Sequence, residues 1–292
     1  MNYRHMYHAG NFSDVVKHVI LISLIEALKQ KDKPFCYLET HAGAGLYDLQ
    51  TIEADKTQEY RNGILRIFTK ANDSKDKDTK HKSNTSMPKL INTYLDIAVA
   101  YGFPKTYPGS PLIAQTCLRP TDSMILMELH LEEMKALKHI FRNGSCKNIA
   151  IHHQDGYLGM KAFLPPKEKR GLILIDPPFE KTNEWEQIIS TVQMGLKRFP
   201  SGVYAIWYPL KDNTAVNQFH QQLKTLEVEE RVVVELSVYP DDIAFGLTGC
   251  GMAIINPPWQ WSKSIEEMIP WLWQVLANDG QGRYKVFDIK TS

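Results

Sequence analysis

The sequence predicts an α/β fold built on a mostly parallel, doubly wound β-sheet. Short apolar runs that end in turn residues recur along the chain, and helical apolar patterns separate several of them, as is typical of parallel sheets. The last two apolar runs are joined without a clear helix, so we expect an antiparallel hairpin at one edge of the sheet. The predicted strands cover residues 35–39, 124–129, 148–152, 171–175, 203–207, 232–238 and 252–255.

Helical spacing of apolar residues predicts the elements between these strands. The first pattern starts at Val15 and continues through about Lys31, just before the first strand. Later patterns cover residues 132–141, 185–197, 214–226 and 265–276. Their alternation with strands is what a doubly wound sheet requires.

One connection is too long for a simple strand–helix–strand unit. More than 80 residues separate the first strand from the second, whereas such a unit needs only about 30. We therefore expect a core formed by residues 1–46 and 108–292, with a helical subdomain inserted at 47–107. Within the insertion, residues 57–68 and 90–101 have helical patterns. Residues 70–89 hold six lysines against three aspartates, which predicts a mobile basic loop that is either a solvated linker or a contact for phosphates.

Composition narrows the class of protein. The chain has 292 residues, 43% of them hydrophobic, and a net charge of +1, so any nucleic-acid partner must be held by local patches. No apolar run reaches the length of a membrane span, and the N-terminus lacks the apolar region of a signal peptide. The scattered cysteines form no C-x-x-C pair, which argues against a zinc site and fits the cytoplasm; they are Cys36, Cys117, Cys146 and Cys250.

The segment Asp176-Pro177-Pro178-Phe179 follows the buried strand 171–175. Its two prolines stop the sheet ladder because neither can donate a backbone N–H. The strand end thus holds a carboxylate, a rigid turn and an aromatic ring. These groups suit a planar base that is held by its amino group and stacked on its face. Taken alone, the tetrapeptide is equally compatible with a plain turn.

The ends of the earlier strands carry matching groups. Gly43 and Gly45 follow the first strand, where glycines permit a tight turn and close approach of a nucleoside cofactor. Glu128 ends the second strand and could accept hydrogen bonds from ribose hydroxyls, although it could also be an ordinary strand-end acid. Asp155 and Gly156 follow the third strand, where an acid could bind an adenine amino group. Because ligands bind at the carboxyl ends of parallel strands, this order predicts one site.

A second segment, Asn256-Pro257-Pro258-Trp259, has the same order of residue types. It follows the last predicted strand, which is far in topology from the glycine loop. We therefore favour Asp176 as the catalytic position. The alternative segment is expected to be a rigid exit turn with Trp259 packed on the sheet edge.

These motifs resemble a known family. Glu39…Gly43-x-Gly45 together with Asp176-Pro177-Pro178-Phe179 is similar to the class I S-adenosylmethionine-dependent amino-methyltransferases. More specific motifs resemble the RlmJ family of bacterial 23S ribosomal RNA adenine-N6 methyltransferases. They are Tyr3-Arg4-His5…His8-Ala9-Gly10-Asn11…Asp14-Val15-Val16-Lys17-His18, Thr40-His41-Ala42-Gly43-Ala44-Gly45, Tyr107-Pro108-Gly109-Ser110-Pro111 and Ile206-Trp207-Tyr208-Pro209. The resemblance implies a Rossmann-like methyltransferase core with an inserted helical subdomain.

The resemblance also implies roles for matching residues. Asp176 would be catalytic, and Tyr3 would contact the RNA. S-adenosylmethionine would be the methyl donor, 23S ribosomal RNA the partner, and no metal would be needed; we expect a cytoplasmic monomer. With the residue-based assignments added, the predicted substrate contacts are Tyr3, His5, Pro177 and Phe179, and the predicted cofactor contacts are Lys17, His18, His41, Gly43, Gly45, Ser110, Glu128, Asp155 and Gly156.

Each assignment has a structural alternative. Lys17 and His18 could form a solvated helix face, His41 could be a satisfied interior histidine, and Ser110 could be only a helix cap. Phe179 stands where the family usually has tyrosine, so a hydroxyl contact to substrate is in doubt. Two other functions stay open at this point: methylation of adenine in DNA, and nucleic-acid binding without catalysis in the use of DNA as a nutrient.

Overall fold

A computed structural model describes residues 5–75, 86–142, 148–240, 246–277 and 280–290. The strands are β1 (Cys36–Glu39), β2 (Leu46–Asp48), β3 (Thr106–Pro108), β4 (Ser123–Glu128), β5 (Ile149–His153), β6 (Gly171–Ile175), β7 (Val203–Leu210), β8 (Arg231–Ser237), β9 (Gly249–Ile255) and β10 (Arg283–Asp288). The α-helices are α1 (Phe12–Lys29), α2 (Ile52–Thr57), α3 (Ile64–Lys75), α4 (Lys89–Ala100), α5 (Ser110–Cys117), α6 (Leu131–Arg142), α7 (Gly156–Phe163), α8 (Glu184–Arg198), α9 (Asn213–Lys224) and α10 (Trp261–Leu276).

Within the described residues, eight strands form one sheet in the order β10-β8-β9-β7-β6-β1-β4-β5. The strands from β5 to β7 are parallel, while β9, β8 and β10 add antiparallel ladders. The predicted α/β class and the antiparallel pairing of the last two predicted strands are thus confirmed. The predicted edge is wrong, because β10, which the sequence pattern did not reveal, pairs with β8 and forms the edge.

The central strands are buried on both faces, and alternate residues serve two apolar layers. In β1 and β6, Tyr37 and Leu172 point to one face, whereas Leu38 and Ile173 point to the other. One layer is completed by α1, α10 and the helices between β1 and β4; α7, α8 and α9 complete the other. Burial on both faces explains why these strands are continuous apolar runs rather than alternating ones.

Helix α1 begins at Phe12, three residues earlier than the apolar pattern suggested. The side chain of Asn11 accepts a hydrogen bond from the Asp14 backbone N–H at 2.9 Å, which caps the helix. Asp14, Lys17 and His18 are three and four positions apart, so they share one helix face in the first turns. This face points toward the carboxyl ends of the central strands.

Within the long connection between β1 and β4, the segment from β2 to β3 starts and ends in a small ladder. β2 and β3 pair antiparallel, with Tyr47 opposite Tyr107, so the two ends of this segment lie together. The single helix predicted at 57–68 is wrong: the chain breaks at Gln58, with φ of +52°, and at Gly63. A Cβ at Gly63 would lie 2.0 Å from the Gly10 carbonyl oxygen, so glycine is required there.

The predicted lysine-rich loop at 70–89 is partly helical. Residues 70–75 belong to α3 and Lys89 begins α4, whereas 76–85 lie outside the described residues. Among the described helices, none is both long enough and apolar enough to cross a membrane.

Candidate active site

A cavity of about 310 Å³ lies over the carboxyl ends of β1, β4, β6 and β7. Most of the residues predicted for the site line it, although they come from distant parts of the chain. The predicted residues in its wall are His5, Lys17, His18, His41, Gly43, Ser110, Glu128, Asp176, Pro177 and Phe179.

Three predicted cofactor residues lie outside the wall of this cavity as the described residues form it. The Asp155 carboxylate caps α7 by accepting hydrogen bonds from the backbone of Tyr157 at 2.9 Å and Leu158 at 3.0 Å. A Cβ at Gly156 would lie 2.1 Å from the Thr40 carbonyl oxygen, so this glycine lets α7 begin against the end of β1. Gly45 forms the turn after β1 with φ of +83°. Tyr3 lies outside the described residues.

The carboxylate of Asp176 is paired with a buried cation. Lys17 Nζ lies 2.7 Å from Asp176 Oδ2 and 2.8 Å from Asp14 Oδ1. Burial alone would lower the pKa of Lys17, but the two carboxylates raise it well above its usual value, so the ammonium stays charged. Lys17 was predicted to contact the cofactor, whereas its ammonium group contacts the predicted catalytic residue.

The same network continues to the N-terminal segment. His5 Nε2 lies 2.8 Å from Asp14 Oδ2, and the Gly10 backbone donates a hydrogen bond to that oxygen at 2.9 Å. Burial would raise the pKa of Asp14, but His5 and Lys17 hold it well below the usual range. A chain of hydrogen bonds and ion pairs therefore joins His5 to Asp176. Sequence reasoning assigned no role to Asp14, although its position one helical turn before Lys17 was a usable signal.

The glycine loop and the acid at the end of β4 hold each other in place. Gly43 has φ of +62°, and a Cβ there would lie 2.3 Å from the Tyr47 hydroxyl oxygen. Its backbone N–H donates to Glu128 Oε2 at 2.8 Å, and the His130 N–H donates to Oε1 at 2.6 Å. Burial raises the pKa of Glu128 above its usual value. The carboxylate is therefore fixed in orientation at the point predicted for a ribose.

Two histidines of the site are neutral, and one of them is fully buried. His18 is fully buried, its Nδ1 lies 2.7 Å from the Tyr107 hydroxyl, and burial holds its pKa well below the usual value. Burial also lowers the pKa of His41 to about 4, and its Nδ1 lies 2.8 Å from Thr40 Oγ1. Since Lys17 is only 4% exposed, the alternative of a solvated helix face for Lys17 and His18 is wrong.

Ser110 is not the cap of its helix. The N-cap of α5 is Gly109, and Ser110 is the first helical residue. Its hydroxyl instead donates to Glu39, whose other oxygen accepts from the Tyr37 hydroxyl at 2.8 Å. Burial raises the pKa of Glu39 to about 8. The alternative of a purely capping serine is therefore wrong, and Ser110 links the first strand to the cavity.

The cavity wall contains buried polar atoms that need a partner. In the described part of the chain, His18 Nε2, His130 Nδ1 and Glu133 Oε2 are buried without a hydrogen bond, and all three residues line the cavity. Unsatisfied buried polar atoms are costly, so their clustering is typical of a wall that is completed by a ligand. A nucleoside with hydroxyls and ring nitrogens fits this donor and acceptor set. Sequence reasoning missed His130 and Glu133.

Aromatic rings form the wall beside Asp176. The centroid of the Phe179 ring lies 4.7 Å from that of Trp185 and 5.8 Å from that of Trp207, and both pairs are edge to face. Phe179 and Trp207 line the cavity. Phe179 has φ of +50°, a strained conformation for a bulky residue that costs about 1–3 kcal/mol and is typical of functional sites. Phe179 can therefore present an aromatic face to a planar base.

Asn256 lies on the opposite side of the sheet from the cavity, where the amino end of β7 meets the carboxyl end of β9. It follows β9, which runs antiparallel to β7, and its Nδ2 donates to the carbonyl oxygens of Pro200 at 2.8 Å and Gly202 at 2.9 Å. This amide ties the end of β9 to the chain entering β7. The expectation that Trp259 packs on the sheet edge is wrong, because its side chain is 83% exposed.

A parallel sheet with a glycine loop after β1, an acid after β4 and Asp-Pro-Pro-Phe after β6 is the arrangement of a Rossmann-like methyltransferase. Residues 32–289 match the family model described as "Ribosomal RNA large subunit methyltransferase D, RlmJ", and the chain belongs to this family.

Relatives agree over nearly the whole chain. The chain is 38% identical to "Ribosomal RNA large subunit methyltransferase J" of Escherichia coli and 37% identical to the protein of that name from Haemophilus influenzae, in each case over 98% of both chains. It also matches the crystal structure of a Legionella pneumophila protein with a TM-score of 0.84 and 34% identity, over 96% of this chain and 98% of that one.

Proposed function

We propose that this protein transfers a methyl group from S-adenosylmethionine to the exocyclic N6 amino group of an adenine in 23S ribosomal RNA. The observation that carries the proposal is the position of Asp176, which is ion-paired with a buried lysine between an aromatic wall and a glycine loop. The names of the curated relatives supply the substrate class, the RNA of the large ribosomal subunit. We place the activity in the cytoplasm, where ribosomal RNA is processed.

The residues present fit S-adenosylmethionine, which supplies an electrophilic methyl group on a sulfonium when bound. Glu128, held by two backbone N–H groups, would accept the ribose hydroxyls, and His18 Nε2 would gain a partner. Because His18 and His41 are neutral, they do not repel a cationic sulfonium. Asp155, beside the cavity, would accept a bond from the adenine amino group of the cofactor.

On the RNA side, the protein must make the adenine amino group, which is a poor nucleophile, more reactive. The lone pair of an adenine amino group is delocalised into the ring. We assign the acceptors of its two N–H bonds to Asp176 Oδ1 and the Pro177 carbonyl oxygen, since Oδ2 is already bonded to Lys17. These two bonds favour a pyramidal nitrogen whose lone pair points away from both acceptors. Asp176 then takes the proton that the nitrogen loses after methyl transfer.

Phe179 would stack on the target base after it leaves its helix, because a base in a duplex cannot reach the cavity. Its ring gives this contact without the hydroxyl of the tyrosine usual in the family. The rest of the rate enhancement would come from positioning, with nitrogen and methyl carbon held in line at attack distance. Lys17 contributes by holding the Asp176 carboxylate in one orientation.

The test combines mapping of N6-methyladenine with one variant. In cells, the modified adenine of 23S ribosomal RNA should be lost when the gene is deleted and return with the wild-type gene. In vitro, Asp176→Ala should lower kcat at least about 100-fold, the range of a lost acid–base group, while calorimetry shows S-adenosylhomocysteine binding largely unchanged. Full activity of Asp176→Ala would contradict the catalytic assignment. Absence of S-adenosylhomocysteine binding to the wild type would favour a non-enzymatic protein, and preference for DNA would favour a DNA methyltransferase.

A further inference from the structure

A second cavity, of about 590 Å³, lies beside the candidate active site, between α9 and the antiparallel strands β8 and β10. Its volume is within the range of about 300–1,000 Å³ that is typical of small-molecule sites. The residues assigned above to catalysis and cofactor binding do not take part in its described wall. The antiparallel end of the sheet therefore carries a built cavity that the methyl transfer itself does not use.

One row of paired residues crosses four strands beside this cavity and positions the Glu235 carboxylate in its wall. Lys285 of β10 pairs with Glu235 of β8, and Glu235 pairs with Gly251 of β9. Gly251 in turn pairs with Tyr208 of β7. A Cβ at Gly251 would lie 2.1 Å from the Tyr208 ring, so glycine lets this ring lie across β9. The Tyr208 hydroxyl thereby reaches Glu235 and donates to Oε1 at 3.0 Å.

Glu235 and a histidine from α9 form the polar floor of the cavity. His220 Nε2 lies 3.0 Å from the Tyr208 hydroxyl and 3.4 Å from Glu235 Oε1. Burial lowers the pKa of His220, and Lys285 opposes the effect of Glu235, so the imidazole is neutral. Carboxylate and neutral imidazole groups bind the amino groups and ring nitrogens of nucleic-acid bases.

The mouth of the cavity has the opposite charge. Lys211, Arg283 and Lys285 are exposed at its rim, and all three are cationic. A ligand that fits this distribution has an anionic outer part and an inner part with amino or ring N–H groups. A nucleotide has both, with its phosphate outside and its base inside, and the Glu235 carboxylate excludes the reverse orientation.

The two cavities share part of their walls at the carboxyl end of β7. Lys211 and Gly246 line both of them, while the neighbouring residues Pro209 and Leu210 each line one. A chain that places one nucleotide over Asp176 would therefore place the next within reach of Lys211. We propose that the second cavity binds a nucleotide adjacent to the target adenosine, with its phosphate on Lys211, Arg283 and Lys285 and its base facing Glu235 and His220. This inference rests on the proposed methylation of RNA, and it makes this cavity a determinant of which adenine is chosen.

The first arm of the test measures phosphate contact. Lys285→Ala should raise KM for an RNA fragment carrying the target adenosine roughly tenfold and make the slope of log affinity against log salt shallower by about 0.9. The matched control is Lys263→Ala, since Lys263 is an exposed lysine in the first turn of α10, next to the Asn256 end of β9. S-adenosylhomocysteine affinity should be unchanged in both variants. If Lys285→Ala behaves like Lys263→Ala while the wild type methylates RNA, the proposal is wrong.

The second arm measures base contact. Replacing each nucleotide that flanks the target by an abasic one should lower wild-type kcat/KM several-fold at one of the two positions. Asn217 is an exposed residue of α9 that lines the same wall one helical turn before His220, and we expect its amide to contact the base as well. In Asn217→Ala the same replacement should therefore cost less, because the two losses share one contact. No cost at either flanking position would overturn the proposal. Failure of the methylation function itself would be seen separately, as wild-type protein that neither binds S-adenosylhomocysteine nor methylates the RNA.

Discussion

Two segments of this chain have the same order of residue types, and they lie at opposite ends of the sheet. Asp176-Pro177-Pro178-Phe179 follows β6, which runs parallel to β7, and Asn256-Pro257-Pro258-Trp259 follows β9, which runs antiparallel to β7. Only the first segment meets the cavity that the glycine loop borders. The direction of the preceding strand therefore decides whether such a segment reaches the cavity. The order of residue types alone does not decide it.

The first residue of each segment makes contacts of a different kind. Asp176 accepts a charged hydrogen bond from Lys17 inside the cavity, whereas the Asn256 amide donates to the carbonyl oxygens of Pro200 and Gly202. The strained backbone also differs in position. It falls on the aromatic Phe179 in one segment and on Asn256 in the other, where asparagine tolerates φ of +53° well. The segment at 176–179 therefore has a strained backbone at the residue whose ring lines the cavity, whereas the segment at 256–259 is a turn with little strain.

Exchanging the two polar residues is the strongest way to break this comparison. Asp176→Asn should lower kcat at least about 100-fold, because an amide cannot take a proton. Asn256→Asp should leave kcat near the wild-type value but lower the free energy of unfolding by about 1–3 kcal/mol, because two carbonyl oxygens would face a carboxylate. Methylation assays and urea denaturation measure the two effects. The comparison fails if the variant at 256 loses activity while folded, or if the variant at 176 keeps it.

Sequence reasoning reached β6 and the residues that follow it because a continuous Leu/Ile run is a local signal. It missed β10 because Arg283, Tyr284 and Lys285 are exposed at the sheet edge. This strand is formed by pairing with β8, which is distant in the sequence, rather than by its own apolar pattern. The same limit applies to the site. Asp176 was predicted from its motif, but its contact with Lys17 joins residues 159 positions apart and no local pattern shows it.

That contact gives the next prediction. Lys17→Met should lower kcat about 10- to 100-fold, because a misplaced carboxylate no longer holds the amino group in line. It should also destabilise the fold by about 3–5 kcal/mol, since Asp14 loses its lysine while fully buried. Lys17→Arg, which keeps the charge, should recover part of kcat. Steady-state kinetics on the folded fraction separate the two effects, and Lys263→Met is the control at the other end of the sheet. An unchanged kcat in folded Lys17→Met would remove the positioning role.

The aromatic residues of the two segments give a smaller and sharper contrast. Phe179→Ala should weaken RNA binding by about 1–3 kcal/mol, the range measured for a base stacked on an aromatic ring. Trp259→Ala should change RNA binding and stability by less than about 0.5 kcal/mol, because that side chain is 83% exposed. Phe179→Tyr should retain full binding if the stacking face is what matters. Titration of a labelled RNA fragment measures all three, and a loss for Trp259→Ala equal to that for Phe179→Ala would show that exposure does not separate the two segments.

The smallest expected effect is a pH dependence confined to the Asp176 end of the sheet, since the Asn256 amide does not titrate. Burial lowers the pKa of His41 to about 4 in the folded protein, against about 6.5 when unfolded. A histidine whose folded pKa is depressed loses stability as pH falls from 6.5 toward 4, because the unfolded chain binds the proton first. Between pH 7 and 5.5 this linkage amounts to about 1 kcal/mol. His41→Gln should therefore lose about that much less stability than the wild type over this interval. Urea denaturation at the two pH values measures the difference, with His139→Gln, an exposed histidine of α6, as the control. Equal pH dependence in wild type and His41→Gln would mean that the pKa of His41 is the same in the folded and unfolded protein, and the site would then not hold this ring neutral below pH 6.5.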